Sequence, residues 1–303
     1  YHAQDAWVKV WYEVDVPNGR LSPSPEPDEP GDFRSCYLFD GGNASAQTTM
    51  PDGYYIDGGL GAKGLSLCRY DAAAGKSFLL FTDSEYNYGS VQAANGSYVV
   101  YHAGRTDGEG QPAESHYRVY SLTEQKVILT LRAQMDGQAI NPLFVHGDRI
   151  FCERQSDARD GHSIVAVDAS TGLIVHEQPD ILPIWMGSFY QRGAVAMIES
   201  GRKLYFADLA EGSDFSRIEV EQSIDGYELT SLQPGAISDS EMLFTAVYEE
   251  AGTGTCKSML YRFHRTTHEL TRAWETEGRL VKTLYAGGLC LSLIPGELIC
   301  SLY

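Results

Sequence analysis

Turn-forming pairs recur along this chain at a nearly constant spacing, and that spacing restricts the folds open to it. Each pair separates two short apolar segments, and the pairs are Asn95-Gly96, His146-Gly147, Arg192-Gly193, Ser238-Asp239 and Gly287-Gly288. Their second residues lie 51, 46, 46 and 48 positions apart. Asp52-Gly53 extends the series upstream, 43 positions before Gly96. A fixed period of this length indicates a repeat architecture.

A second turn recurs between the members of the first series. It follows strand-like segments that end at Asp71, Ser121, Asp168, Asp208 and His264, and another apolar segment follows it each time. Alternating strand, polar loop and returning strand together predict a β-hairpin. Two hairpin turns in each period of about 47 residues predict four strands in each repeat.

A lone four-stranded unit leaves both faces uncovered, so neighbouring units must stack on it. Radial stacking of such units is the β-propeller. We therefore predict an all-β fold, a single β-propeller domain over residues 1–303 with six four-stranded blades. The blades lie approximately at 35–82, 87–133, 140–178, 184–221, 229–276 and 280–303.

The last blade ends one strand short, and residues 7–14 form an isolated strand-like segment near the N-terminus. We predict that residues 7–14 close the ring as the missing outer strand, which removes an exposed edge. Residues 21–30, rich in proline and acidic residues, then connect this strand to the first blade. Seven blades are the alternative if residues 35–61 hold a further unit.

Residues 163–175 read SIVAVDASTGLIV, a strand that ends in Asp followed by a Thr-Gly turn. This hairpin resembles those of TolB-like and quinoprotein-type propeller repeats. The resemblance implies the fold and leaves the activity open, because propellers carry many activities. The regular docking tryptophans of quinoproteins are missing, since the chain has only Trp7, Trp11, Trp185 and Trp274. This argues against a quinone-dependent dehydrogenase.

A formal net charge of −18 argues against a nucleic-acid binder, because phosphate contacts require clustered Lys and Arg. The longest apolar runs are about half of the roughly 20 residues that a membrane span needs. The chain begins at Tyr1 rather than Met. We therefore expect a signal peptide or lipoprotein leader to have been removed, an extracellular or cell-surface location, a possible upstream lipid anchor and a monomer.

Several short motifs imitate cofactor or metal sites without their structural context. Gly59-Leu60-Gly61-Ala62-Lys63-Gly64 matches a dinucleotide fingerprint, but a strand follows it where a helix is required. The acidic turn at 157–161 lacks the remaining ligands of a calcium loop. His264 and His268 flank a turn rather than sharing a helix face. We predict no cofactor and no metal.

The six cysteines include no C-x-x-C pair, which makes a structural zinc site improbable. Cys68, Cys152, Cys290 and Cys300 lie in apolar segments and are interpreted as buried thiols. Cys290 and Cys300 flank a turn, and a disulfide between them is left open.

Ligands of a propeller are expected at the loops between blades. Those loops carry aromatic and polar residues suited to sugars or peptides. The candidate ligand-binding residues are Tyr86, Tyr88, Asn141, Trp185, Tyr227 and Arg279. We predict a non-catalytic binding or scaffold protein that recognises a protein or glycan. The alternative is a carbohydrate-active hydrolase or lyase that uses two carboxylates at the channel mouth.

Overall fold

The computed structural model describes the backbone of residues 2–3, 6–7, 11–15, 20–24, 53–57, 64–71, 76–107, 112–132, 134–135, 138–155, 162–181, 189–279, 282–286, 289–294 and 297–302. Side chains are described from residue 53 to 279 within these ranges, apart from positions 112, 134, 135 and 138. The regular elements there are β-strands, and these ranges contain no α-helix. The prediction of an all-β chain is confirmed.

Contacts divide the chain into two compact units. Unit 1 comprises Tyr1–Asp40, Met197–Leu204 and Arg217–Tyr303, and unit 2 comprises Gly41–Ala196 and Tyr205–Ser216. The prediction of one domain over the whole chain stays a prediction.

The N-terminal segment contains two antiparallel strand pairs, β1 with β2 and β3 with β4. Their bounds are β1 His2–Ala3, β2 Ala6–Trp7, β3 Trp11–Asp15 and β4 Arg20–Ser24. The predicted closing strand overlaps β2 and β3, and the predicted connector begins inside β4. In the part of the chain that the structure describes, β3 pairs with β4. Closure of a ring by residues 7–14 therefore stays a prediction.

Unit 2 contains three antiparallel sheets in chain order. The first has β5 Tyr54–Asp57, β6 Leu65–Asp71 and β7 Lys76–Asp83. The second has β8 Tyr88–Ala94, β9 Tyr98–Thr106, β10 Pro112–Ser121 and β11 Lys126–Arg132. The third has the short β12 Gln134–Met135, then β13 Gln138–His146, β14 Arg149–Gln155, β15 His162–Asp168 and β16 Ile174–Pro179.

A four-stranded sheet follows in chain order. It comprises β17 Phe189–Arg192, β18 Val195–Ser200, β19 Lys203–Asp208 and β20 Ser216–Ile218. Unit 1 then adds β21 Ser223–Ile224, β22 Tyr227–Ile237, β23 Glu241–Glu250, β24 Cys256–His264 and β25 Leu270–Glu277. Its last sheet has β26 Lys282–Ala286, β27 Leu289–Ile294 and β28 Glu297–Leu302. Repeated sheets with four principal antiparallel strands agree with a propeller.

The second sheet of unit 2 is covered on both faces, as stacking of repeats requires. Its first strand β8 lies beside β5 of the preceding sheet and beside β13 of the following one. Successive residues of β9 enter different cores, because strand side chains alternate between faces. Val99 packs with Leu65 and Leu67, whereas Val100 packs with Ile150 of the third sheet. Burying each such side chain stabilises the fold by about 1.5–3 kcal/mol.

Four of the sheets have one unpaired residue in their last main strand, at the same place in the repeat. The register between the third and the outermost main strand shifts in four sheets, and the outermost strand carries the unpaired residue each time. These residues are Leu80, Ile128, Val175 and Ala273. Each is a β-bulge, which bends a strand and increases its twist. Sequence patterns did not indicate it.

The first series of predicted turns is confirmed where the structure describes it. Gly147 and Gly193 have φ angles of +53° and +57°, a conformation that glycine adopts without steric cost. The second series includes the turn after Asp168, whose carboxylate accepts hydrogen bonds from the amides and hydroxyls of Ser170 and Thr171. These bonds hold the pKa of Asp168 at about 2. Gly287-Gly288 lies outside the described residues.

Cys68 and Cys152 are buried free thiols, as predicted, and so is Cys256. Burial raises the pKa of the thiols of Cys68 and Cys152. Cys290 lies opposite Ser301, and Cys300 lies opposite Leu291, so the two cysteines are one register position apart. A disulfide between them stays open.

Candidate functional site

The second sheet of unit 2 has one end at which β7 passes into β8 and β9 passes into β10. We call this the loop end of the sheet. Tyr88 lies at the start of β8, and His102 and Tyr117 are cross-strand partners near the middle of β9 and β10, two residues further from this end. The predicted site residue Asn141 lies in β13, beside this sheet. The loop end therefore combines residues from four strands.

Three rings on one face of the sheet contact one another in series. The ring centroids of Tyr88 and His102 are 5.9 Å apart, and those of His102 and Tyr117 are 5.6 Å apart. Ser115 shares a hydrogen bond with His102, with its Oγ 2.5 Å from Nε2. The Tyr117 hydroxyl donates to Asn141 Oδ1 at 3.4 Å. We call these five residues the neutral array.

Gly104 explains how Tyr88 reaches its place. The two residues are direct cross-strand partners in β8 and β9. A Cβ atom on residue 104 would meet Tyr88 Cε2 at 2.6 Å and would also collide with its Cζ and hydroxyl. The absence of a side chain at Gly104 is therefore what lets the Tyr88 ring lie across β9 beside Ser115.

The array is uncharged at neutral pH. Burial lowers the pKa of His102, because desolvation disfavours the imidazolium. Burial also raises the pKa of Tyr117 to about 12. His102 can accept or donate a hydrogen bond in its neutral form, as can both tyrosines and Ser115. All five side chains are partly buried.

The opposite face of the same sheet carries a charged cluster. Arg118 Nη2 lies 3.5 Å from Asp83 Oδ2, and its Nη1 lies 3.3 Å from Glu85 Oε2. Tyr101 donates its hydroxyl to Asp83 at 3.3 Å. Asp83 has only 3% of its side chain exposed and Arg118 has 14%. This cluster joins the first sheet to the second and satisfies its own charges.

Tyr86, one of the predicted site residues, belongs to this charged face. It is 6% exposed and packs into the core between the first and second sheets. The Arg118 guanidinium lies 5.2 Å from its ring centroid, and its hydroxyl shares a 3.2 Å hydrogen bond with His116 Nδ1. Its ring is therefore a packing element beneath the loop end.

Tyr227 and Arg279, two further predicted site residues, lie in unit 1 among ion pairs. Lys257 Nζ lies 4.9 Å from the ring centroid of Tyr227 and within 4 Å of the carboxylates of Asp225 and Glu275. Arg279 Nη1 lies 3.7 Å from Glu249 Oε2. Trp185 lies outside the described residues. The structure thus brings Tyr88 and Asn141 into one array through His102 and Tyr117.

Sequence reasoning missed His102, Ser115 and Tyr117, because histidines appeared scattered when judged by spacing. His102 and Tyr117 become neighbours through the register of β9 and β10. The alternation of residues 115–120, SHYRVY, was the one available signal that these residues sort onto two faces.

Two absences apply to the described ranges of the chain. These ranges contain no group of three or more His, Cys, Asp or Glu side chains placed to hold a metal ion. None of their elements is a helix long and apolar enough to cross a membrane. His264 lies in the turn that the sequence predicts, where its Nδ1 accepts a hydrogen bond from the Thr267 amide.

No protein-family model matches the sequence, and no curated protein matches it. Similar solved structures include a 6-phosphogluconolactonase-like protein from Bacteroides uniformis, 13% identical over 93% of this chain and 83% of that chain, with a TM-score of 0.45. TolB from Acinetobacter baumannii is 12% identical over 79% of this chain and 59% of that chain, with a TM-score of 0.37. Oligopeptidase B from Trypanosoma brucei is 11% identical over 79% of this chain and 36% of that chain, with a TM-score of 0.46. TolB is among these neighbours, and none of them carries information about activity.

Proposed function

We propose that the protein is a non-catalytic binding protein that recognises a protein or a glycan through the loop end of the second sheet. The observation that supports this is the neutral array, in which Tyr88, His102 and Tyr117 present partly exposed rings beside Ser115 and Asn141. Aromatic surfaces with a few convergent polar groups are typical of ligand sites. In a hydrophobic core, by contrast, aromatic rings and polar side chains are mostly buried.

The arrangement of carboxylates supports binding over the hydrolase or lyase alternative. That alternative needs two carboxyl groups that face a shared substrate space. At the loop end, Asp83 and Glu85 are instead both engaged by Arg118, and Asp83 is almost wholly buried. Neither is placed as a free acid or base beside the array.

The test is a panel of glycans and peptides screened by thermal shift against the wild-type protein and three variants. A ligand at about 100 times its Kd stabilises the fold by about 2.7 kcal/mol. We expect His102→Ala and Tyr88→Ala to remove the shift, while Tyr98→Ala keeps it. Tyr98 is the matched control because it lies at the opposite end of β9, with its hydroxyl on Asp148 at 3.0 Å.

Two results would contradict the proposal. A ligand whose shift survives His102→Ala and Tyr88→Ala binds somewhere other than the loop end. New reducing ends or unsaturated products formed from the glycans would show catalysis and would favour the hydrolase or lyase alternative.

Other features of the proposal depend on predictions made from the sequence. They are six blades in a ring closed by residues 7–14, a monomer, a location outside the cell, an upstream lipid anchor and the absence of a cofactor. Size-exclusion chromatography with light scattering tests the monomer. Fractionation of the producing cells tests the location.

A further inference from the structure

We propose that the neutral array binds an uncharged saccharide, with a sugar ring stacked on Tyr88 or Tyr117 and its hydroxyls bonded to His102, Ser115 and Asn141. This inference rests on the proposed binding function and adds the chemical class of the ligand. It follows from how charge is distributed over the two faces of one sheet.

Alternation along β10 separates charged from neutral residues. Glu114, His116 and Arg118 face the first sheet, whereas Ser115 and Tyr117 occupy the intervening positions and face the other way. The salt bridges of β10 all lie on the first of these faces, with Arg105, Asp83 and Glu85 as partners. On this face, the described side chains of β8, β9 and β10 therefore offer hydrogen-bonding groups without a lysine, arginine or carboxylate among them.

Two charged residues of the neighbouring third sheet lie close to Asn141 in register. Its register partner Glu153 has 2% of its side chain exposed and lies 3.5 Å from His162 Nδ1. Arg154, the next residue of β14, lies 3.1 Å from Glu177, which also accepts a 2.8 Å hydrogen bond from Ser163. Glu153 is thus almost wholly buried, and Arg154 is paired with a carboxylate.

The hydrogen-bonding groups of the array suit sugar hydroxyls, which both donate and accept. Asn141 uses its carbonyl oxygen for Tyr117, so its amide nitrogen is left to donate. His102 uses Nε2 for Ser115, so Nδ1 is left for a second bond. The Tyr88 ring lies beside these groups and offers a flat apolar surface to the C–H face of a sugar ring.

A peptide is the less suitable ligand for this surface. Peptides are commonly held by an exposed strand edge, an apolar groove or a cluster of charges. Here the edge strand β8 has strand β5 of the first sheet and strand β13 of the third sheet beside it. The apolar side chains of this face, Val100, Val119 and Leu131, are buried in the core.

The experiment is calorimetric titration with uncharged oligosaccharides of glucose, galactose and mannose. An oligogalacturonate, a chitosan oligomer and an uncharged tetrapeptide form the comparison set. We expect an uncharged oligosaccharide to bind, with little change in affinity between low and high salt because no charge is involved. We expect His102→Ala and Tyr88→Ala each to weaken binding at least tenfold and Tyr98→Ala to leave it unchanged.

A milder variant keeps the test decisive if the alanine variants unfold. Tyr117→Phe removes one hydroxyl and keeps the ring, so a neutral sugar is expected to lose severalfold in affinity while the fold persists. Urea midpoints of all variants check that each one is folded.

The contrary outcomes separate failure of this inference from failure of the proposed function. Preferential binding of the charged sugars, weakened by salt, would overturn the inference and leave the binding function standing. Preferential binding of the peptide at His102 would do the same. No response to any uncharged sugar at about 10 mM, a weak-binding limit, would overturn the inference, and no loop-end ligand of any class would overturn the proposed function with it.

Discussion

The Gly104→Ala substitution provides a direct test of the packing at the loop end. Its new Cβ would approach Tyr88 Cε2 at 2.6 Å, and the Tyr88 ring must move to make room. Overpacking of this kind costs about 1–3 kcal/mol. Gly104 does not have a positive φ, so the backbone itself accepts alanine without strain. The whole cost is therefore assigned to the collision with Tyr88.

A double-mutant cycle isolates that collision. In a Tyr88→Ala background the ring is gone, so Gly104→Ala is expected to be neutral or to stabilise by about 0.4–1 kcal/mol through reduced freedom of the unfolded chain. The coupling free energy between the two positions is thus expected to reach about 1–4 kcal/mol. Urea unfolding followed by circular dichroism measures all four free energies of unfolding.

Gly96→Ala is the matched control, because no atom lies within 4 Å of the position that its new Cβ would take and its φ is not positive. It is expected to change stability by no more than about 0.5 kcal/mol. Equal costs of Gly104→Ala in the presence and absence of Tyr88 would refute the reasoning, since the cost would then come from the backbone.

Four further predictions concern charges and ionisation. Arg118→Met is expected to lower the free energy of unfolding by about 3 kcal/mol, because it leaves Asp83 buried without its cation. Adding Asp83→Asn should restore part of this loss, and urea unfolding measures both variants. Glu85→Gln removes an exposed partner and is expected to cost under about 1 kcal/mol. Asp168 has a lowered pKa of about 2, so its carboxylate stabilises the fold above pH 4 and this stabilisation is lost as the pH falls towards 2. The difference in free energy of unfolding between the wild-type protein and Asp168→Ala should therefore shrink over that range. Burial raises the pKa of Tyr117 from 10.0 to about 12. The stabilisation of the fold by its neutral hydroxyl is therefore present below pH 10 and lost between pH 10 and 12. Tyr117→Phe should unfold less readily than the wild-type protein in that alkaline range.

The repeat was predictable because its signals are local. The turn at Asn95 is an example, since its side-chain oxygen accepts from the amides of Ser97 and Tyr98 within one short stretch. The Asp168 turn is another, because every partner of its carboxylate lies within three residues. Such chemistry can be recognised without knowing which strands become neighbours.

The array was only partly predictable because it depends on distant pairings. Tyr88 and Asn141 were identified by residue type and by their places near predicted loops. His102 and Tyr117, which connect them, meet through a strand register that sequence spacing does not reveal. Tyr86 shows the converse, since an aromatic residue near a loop turned inward to the core.

The recurring bulge has a consequence for how the protein behaves when concentrated. The outermost strands expose apolar side chains, with Leu79 64% and Val175 53% accessible to solvent. A straight apolar strand at a rim is a template on which a second molecule can add its own strand. The extra residues Leu80 and Val175 bend these strands out of the regular geometry that such an addition needs. Because this protection resides in backbone shape, it persists at high salt, where repulsion between molecules carrying a net charge of −18 is screened.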